Sequence, residues 1–292
     1  MKWPLSRIAL LIVFLFPFLA VAQQSATDGK SLLWKITSSE LKKPSYLLGT
    51  IHLICPEDLV WTPAMKKSLQ EAEKICLEMD MDDPSLMMEI ALGMVDNSGK
   101  KLKDYFTAEQ YVKVTRFVSD SLKMDIAMFQ QVKPVALHTL LATKSAECAD
   151  AMAYETMLTD EAKKQNKEVI GLEAASEQLE LLNNMPEDSV INDLLEVAMG
   201  GYKDEREKYR KLVQLYKSQD LPALYSYIEQ HKNDVGDINA FLSERNEKWI
   251  SRMTEKMDSN SVFFAVGAGH LWGERGVITL LRKSGYKVTP VR

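Results

Sequence analysis

Histidine and cysteine are scarce in this chain, four and three among 292 residues. No two cysteines have C-x-x-C spacing, which excludes a cysteine-rich zinc knuckle. The G-x-S-x-G elbow is missing, so an α/β-hydrolase reading has no nucleophile. H-E-x-x-H is missing too, so the chain is not an ordinary zincin. There is no P-loop and no G-x-G-x-x-G, although GAGHLWG at 267–273 comes near the latter. No basic stripe is present and the formal charge is −5, which argues against nucleic acid as a partner. Low-complexity tracts and short-period repeats are also lacking.

Long apolar runs are nearly absent. The one candidate, Ile8 to Leu19, follows Lys2 and Arg7 and precedes Ala20-Val21-Ala22, an A-x-A cleavage pattern. It is interrupted by Pro17 and falls short of the roughly 20 residues needed to cross a bilayer. The segment reads as a signal peptide, residues 1–22, preceding a single mature domain, 23–292, with no stable membrane span after cleavage. Removing Lys2 and Arg7 takes the charge from −5 to −7. An exported protein, periplasmic or secreted, meets oxidising conditions. Cys55 and Cys148 lie in loop-like segments and are the expected disulfide pair. Cys76, inside the apolar run ICLEM, is expected to be a buried thiol.

What is present reads as α/β. SLLWKIT and PSYLLGTIHL, separated by turn residues, predict a β-hairpin. TPAMKKSLQEAEK has helical spacing and ICLEM is a short strand, giving β-β-α-β over residues 31–80. Residues 84 to 258 are helical in pattern, interrupted by a strand at KEVIGLE. The C-terminal part returns to β-α-β through SVFFAVGAGHLW, GERGVITLLRKSG and YKVTPVR. The expected architecture is a central β-sheet from two related β-turn-α-β halves with a large helical insert.

The two halves share one motif. YLLGTIHL and FAVGAGHL each run apolar, then Gly, two residues, His, Leu. Ligands of α/β sheets bind beyond the C-terminal strand ends, where such turns gather. If the strands are neighbours, His52 and His270 converge. Gly49 and Gly267 permit tight backbone and close approach of a ligand. Two imidazoles with carboxylates suit a divalent cation. Glu78 and Asp80 after ICLEM, and Glu173 after KEVIG, sit where strands end. Glu274 is one helical turn beyond His270 and ranks lower. Arg245 and Asn246 lie on a strongly amphipathic helix, where an Arg can stabilise an oxyanion or merely face solvent. His138 reads as a core residue and His231 as a surface one.

The stretches WKI, YLLGTIHL, ICLEMD, YETMLTDEAKKQNKEVIGLEAASEQLELL, SERNEKWISRM and FFAVGAGHLWGERGVITLLRKSGYKV resemble the TraB/GumN family. That family is related to the Tiki proteases, which act on animal Wnt proteins. The resemblance covers about residues 31–292. It implies an α/β core with a metal-dependent hydrolase site, most simply a peptidase acting on peptides or proteins. The matching positions are Gly49, His52, Gly267, His270, Glu78, Glu173, Arg245 and Asn246, with Tyr154 and Glu155 in an element that precedes a helix. Ala174-Ala175 departs from the Thr-containing GLET of relatives. On this reading His52, His270 and Glu173 hold a divalent cation (manganese, cobalt or zinc). Glu78 is the general base, and Arg245 with Asn246 steadies developing negative charge. The alternative is a non-catalytic protein of the same fold that binds peptide, metal or haem.

Overall fold

Uninterrupted apolar runs mark the middle of the sheet. Ser45–Thr50 (β2) is buried along its whole length, and Val262–Gly267 (β5) up to its last residue. Strands buried on both faces belong to parallel sheets covered by helices. The computed structural model describes residues 29–231 and 237–292. The expected signal peptide, 1–22, lies outside the described residues. No helix among the described residues is long and apolar enough to cross a membrane.

The remaining strands are β1 (Leu33–Thr37), β3 (Lys74–Leu77), β4 (Glu168–Gly171) and β6 (Lys287–Val291). They form one six-stranded sheet in the order β4-β3-β5-β2-β1-β6. Strand β1 runs antiparallel to both its neighbours, and the other five are mutually parallel. The β1–β2 hairpin and the β-β-α-β start are as the sequence predicts.

Helices α1 (Pro63–Glu71) and α5 (Tyr154–Lys164) precede β3 and β4, while α10 (Glu244–Ser259) and α11 (Val277–Lys283) precede β5 and β6. Along the sheet, β2→β3 and β3→β4 travel one way, and β4→β5 and β5→β6 travel the other. Right-handed crossovers then put α1 and α5 on one face and α10 and α11 on the opposite face. The reversal falls between β2 and β5, which are adjacent and parallel. That is the switch point, where an α/β sheet opens a crevice at its C-terminal edge.

The insert adds a helical lobe: α2 (Leu86–Gly93), α3 (Ala108–Leu122), α4 (Pro134–Ala142), α6 (Ala175–Asn183), α7 (Glu187–Gly200), α8 (Lys203–Lys217) and α9 (Leu221–Gln230). A second apolar core under α3, α4 and α7, including Val114, Val118, Leu137 and Leu194, is separate from that of the sheet. Helix starts follow the sequence. Thr62 accepts from the Met65 N–H ahead of α1, and Thr107 and Gln110 cap α3 reciprocally. The segment ahead of α10 does not follow a simple helical reading. Asn239–Ser243 is a π-helical turn, a feature frequent at functional sites.

Candidate active site

Four parallel strands end side by side, and each delivers one candidate residue. In sheet order these are Glu173 after β4, Glu78 after β3, His270 after β5 and His52 after β2. The pairings Thr50 with Gly267 and Leu77 with Gly171 bring the ends level. The Glu173 N–H donates to the Glu78 carbonyl at 2.9 Å, so the two acids leave adjacent strands together.

The two glycines have different jobs. A Cβ on Gly49 would stand 3.0 Å from Leu271 Cδ2 and 3.1 Å from Ala268 Cα, so Gly49 lets the β5 turn pack on β2. A Cβ on Gly267 would fall 3.4 Å from Glu78 Oε1, 3.5 Å from His270 Cδ2 and 3.9 Å from His52 Nε2. Gly267 therefore leaves open a space bounded by both histidines and one carboxylate. Its N–H donates to Glu78 Oε1 at 2.8 Å.

His270 is 4% exposed, and its tautomer follows from its partners. The Asn246 Nδ2 amide donates to the His270 and Arg275 carbonyls at 3.2 and 2.9 Å, so Asn246 Oδ1 faces the ring. His270 Nδ1–H donates to that oxygen at 2.7 Å. Nε2 is left with a lone pair, which accepts from Arg245 Nη1 at 3.2 Å. Burial above all, then the Arg245 and His52 cations, push this imidazole down to about 3 against the pull of Glu78. It is neutral at physiological pH.

Glu78 and Glu173, 5% and 8% exposed, close on one guanidinium. Arg245 Nη2 donates to Glu78 Oε2 at 2.6 Å and to Glu173 Oε1, and Nε donates to Glu173 Oε2 at 3.2 Å. Trp249 Nε1 donates to Glu173 Oε2 at 3.0 Å, and Gln178 Nε2 to Glu173 Oε1 at 2.8 Å. Burial pushes the Glu78 carboxyl up, but nearby His270, His52, Arg245 and the Gly267 N–H outweigh it and hold the carboxyl at about 2. With His270 neutral, Arg245 and His52 are the cations that act on Glu78 at pH 7. The Arg245 side chain also donates from Nη1 to the Phe241 carbonyl, at 3.2 Å, in the π-helical turn. On α10 it shares a buried face with Asn246, Trp249 and Met253, so it is not a solvent-facing arginine.

His52 lies at the mouth, its side chain 70% exposed. Nδ1–H donates to Glu155 Oε1 at 2.9 Å. That bond, opposed by desolvation and helped by Glu78 and Glu155, raises the imidazole to about 9, although water at the mouth screens part of the attraction. Its loop is laced to the segment that carries Glu155. Cys55 is disulfide-bonded to Cys148, and Ile54 and Met152 exchange backbone bonds at 3.0 and 2.9 Å. Tyr154 donates from its hydroxyl to the Val60 carbonyl at 3.0 Å. Cys76 is a free, buried thiol.

Glu274, His138 and His231 are not among the residues that meet over Gly267. Glu274 is exposed in the turn before α11, on no shared helical face. Burial and neighbouring Asp82 push the Asp80 carboxyl up to about 6. His138 is half-buried with Nε2 3.8 Å from Asp193, and His231 Nδ1–H donates to the Tyr227 carbonyl at 2.8 Å. Sequence reasoning missed Gln178 and Trp249. Trp249 stands one turn after Arg245, the only signal that could have found it.

The sequence profile of the TraB/PrgY/gumN family matches residues 32–290, nearly all of the described sheet and insert. The chain belongs to the TraB/PrgY/gumN family. It is 25% identical to a "Metalloprotease TIKI homolog" of Amphimedon queenslandica over 88% of this chain and 61% of that protein. It is 24% identical to "Metalloprotease TIKI2" of Danio rerio over 90% and 61%, and 23% identical to "Metalloprotease TIKI1" of Homo sapiens over 91% and 62%. The chain thus spans about three fifths of the length of these curated relatives. No solved structure matches it.

In this TraB/PrgY/gumN chain two histidines and two carboxylates meet at one sheet edge. Each histidine has an oxygen partner on Nδ1, which fixes the ring, while Nε2 of His270 is held by Arg245 Nη1 at 3.2 Å. Glu78 and Glu173 against Arg245 leave one negative charge in excess. The expected trio of His52, His270 and Glu173 is not gathered about one point, however. Glu173 and His52 leave strands three places apart, about 14 Å at roughly 4.8 Å per strand. Both Glu173 oxygens are taken by Arg245, Trp249 and Gln178. Among the described residues no three His, Cys, Asp or Glu side chains stand at metal-binding spacing.

Proposed function

We propose that this chain is an exported, metal-dependent peptidase. The observation that carries the reading is the space over Gly267, bounded by His52 Nε2, His270 and Glu78 Oε1. The nearest donors for a divalent cation there, manganese, cobalt or zinc, are His52, His270 and Glu78, which would have to draw together from their present spacing, with Arg245 leaving His270 Nε2, to hold it. Glu78 replaces the expected Glu173 because it adjoins His270, at 3.9 Å from Nε2, and is anionic. A cation so held supplies a Lewis acid that acidifies water and polarises a carbonyl. A carboxyl held at about 2 is a poor proton acceptor, so Glu78 suits charge holding better than the general-base role first expected.

The other residues have supporting parts. Glu155 orients His52 and Asn246 orients His270, each through Nδ1. Glu173, gripped by Trp249 and Gln178, anchors Arg245, and Arg245 keeps Glu78 ionised. Tyr154 and the Cys55–Cys148 disulfide fix the loop that carries His52, and a disulfide fits an oxidising compartment outside the cytoplasm. The names of the TIKI relatives support the reaction class.

One observation favours a second reading. Arg245 Nη1 stands on the His270 lone pair at 3.2 Å, which suits a protein of this fold that binds peptide without cleaving it. Digestion of a diverse peptide mixture by residues 23–292 separates the two. New termini that need added Mn²⁺ or Co²⁺ and vanish with chelator and with His52→Ala support the peptidase. Stoichiometric binding of intact peptide supports the second reading.

A further inference from the structure

An apolar groove of about 340 Å³ opens directly beside His52. Its walls are Ile51 and Leu53, which flank His52 in the loop after β2, Tyr209 and Leu212 from α8, and Tyr227 and Ile228 from α9. The polar ends of the two tyrosines are turned to backbone. Tyr209 donates from its hydroxyl to the Leu53 carbonyl and Tyr227 to the Lys208 carbonyl, each at 3.3 Å. The rings therefore offer their apolar bodies. Of the charged residues that line the groove, Glu205 and Lys208 are paired with each other at 3.2 Å, one turn apart on α8, and His52, at its edge, is paired with Glu155. The rest of the lining is mainly apolar. Its size is at the small end for ligand sites, enough for one or two side chains.

We propose that this groove selects the substrate, taking a large apolar side chain, aliphatic or aromatic, from a residue next to the scissile bond. The inference rests on the peptidase reading for the word scissile, but not for the binding. His52 is the shared wall: a peptide carbonyl placed at the Gly267 space sets its neighbouring side chain against Ile51 and Leu53. Burial of such a side chain is worth a factor of about ten to a hundred over serine at that position.

Two measurements on residues 23–292 test this. In the first, a peptide series differing at one position (Leu, Phe, Ser, Asp) is titrated with chelator present, so that no turnover occurs. In the second, the same series is digested with Mn²⁺. Ala142→Trp narrows the groove from an exposed position at the end of α4, where folding is not at risk. Leu212→Glu places a charge in its wall. Leu and Phe peptides should bind at least tenfold tighter than Ser or Asp, and both variants should erase the preference. Apolar-selective binding without cleavage would uphold the groove while sinking the peptidase reading. Cleavage or binding with no preference, or a preference that both variants leave intact, would overturn the inference.

Discussion

Replacing Arg245 with methionine leaves two buried carboxylates without their cation. The arginine bridges Glu78 and Glu173 and touches His270 Nε2, all inside a region less than a tenth exposed. The Glu78 carboxyl is held below its unfolded 4.5, so its ionisation in the fold contributes stability. Because its folded value is depressed, that stability is present above about pH 4.5 and is lost as pH falls towards 2. Breaking a buried pair costs about 3–5 kcal/mol, so Arg245→Met should lower the melting temperature by about 6–20 °C at pH 7. The pH dependence should also reverse. Without Arg245, burial pushes the Glu78 carboxyl up, opposed only by His52 and the Gly267 N–H. The penalty for keeping it ionised then grows as pH rises, and is larger at pH 8 than at pH 5. Urea unfolding followed by circular dichroism at both pH values, disulfide intact, reads the difference. A loss under about 1 kcal/mol, or an equal loss at both pH values, would refute the claim that Arg245 neutralises a buried acid pair.

Four further variants address other parts of the site. Glu155→Gln removes the partner that raises His52 to about 9, so the metal-free imidazole should titrate near 6.5 in an NMR titration; an unmoved value would deny the pairing. Replacing Cys55 and Cys148 together by serine opens a link of sequence separation 93 and should cost about 2–5 kcal/mol in urea unfolding. It should also lower the His52 pKa, because the Glu155 segment loosens. Gly267→Ala should fold with a loss under about 1 kcal/mol but bind Mn²⁺ at least tenfold more weakly by calorimetry. Gly49→Ala meets Ala268 backbone at 3.1 Å and should lose about 1–3 kcal/mol. Wild-type Mn²⁺ affinity in Gly267→Ala would remove the cation from that space.

The strands were legible because their signal is local. YLL and VFFAV are unbroken apolar runs, and the repeated Gly-x-x-His marks where each ends. What local pattern cannot carry is strand order. That β2 and β5 are neighbours, and that β4 stands three places from β2, is set by long-range pairing. Hence the condition on which the histidines would share an edge, neighbouring strands, is met, while Glu173 was expected in the same group from its place at a strand end, which says nothing of that strand's position in the sheet. The π-helical turn at Asn239–Ser243 was equally hidden, because INAFLSERNEKW keeps a helical repeat straight through it.

Arg245 illustrates the deeper limit. In a charged helix, nothing local distinguishes an arginine that faces water from one that faces the core. The distinction is made by two acids 167 and 72 residues away. A buried ion cluster is seldom the most stable way to fill such a space, since apolar residues of similar volume are often as good or better. Stability alone therefore does not account for Glu78–Arg245–Glu173. The cluster does supply an ionised carboxylate, in a buried region, adjacent to a neutral imidazole whose tautomer is fixed. Glu173 does not need to touch a ligand to matter in this arrangement. Converting it to Gln would weaken the grip on Arg245 and shift the guanidinium towards Glu78 and His270, closing the Gly267 space. Glu173→Gln should therefore bind Mn²⁺ more weakly although it removes no ligand. A matched loss in Gln178→Ala, which removes a donor to Glu173 Oε1 and a longer one, at 3.4 Å, to Glu78 Oε2, would show that the effect does not need a change of charge.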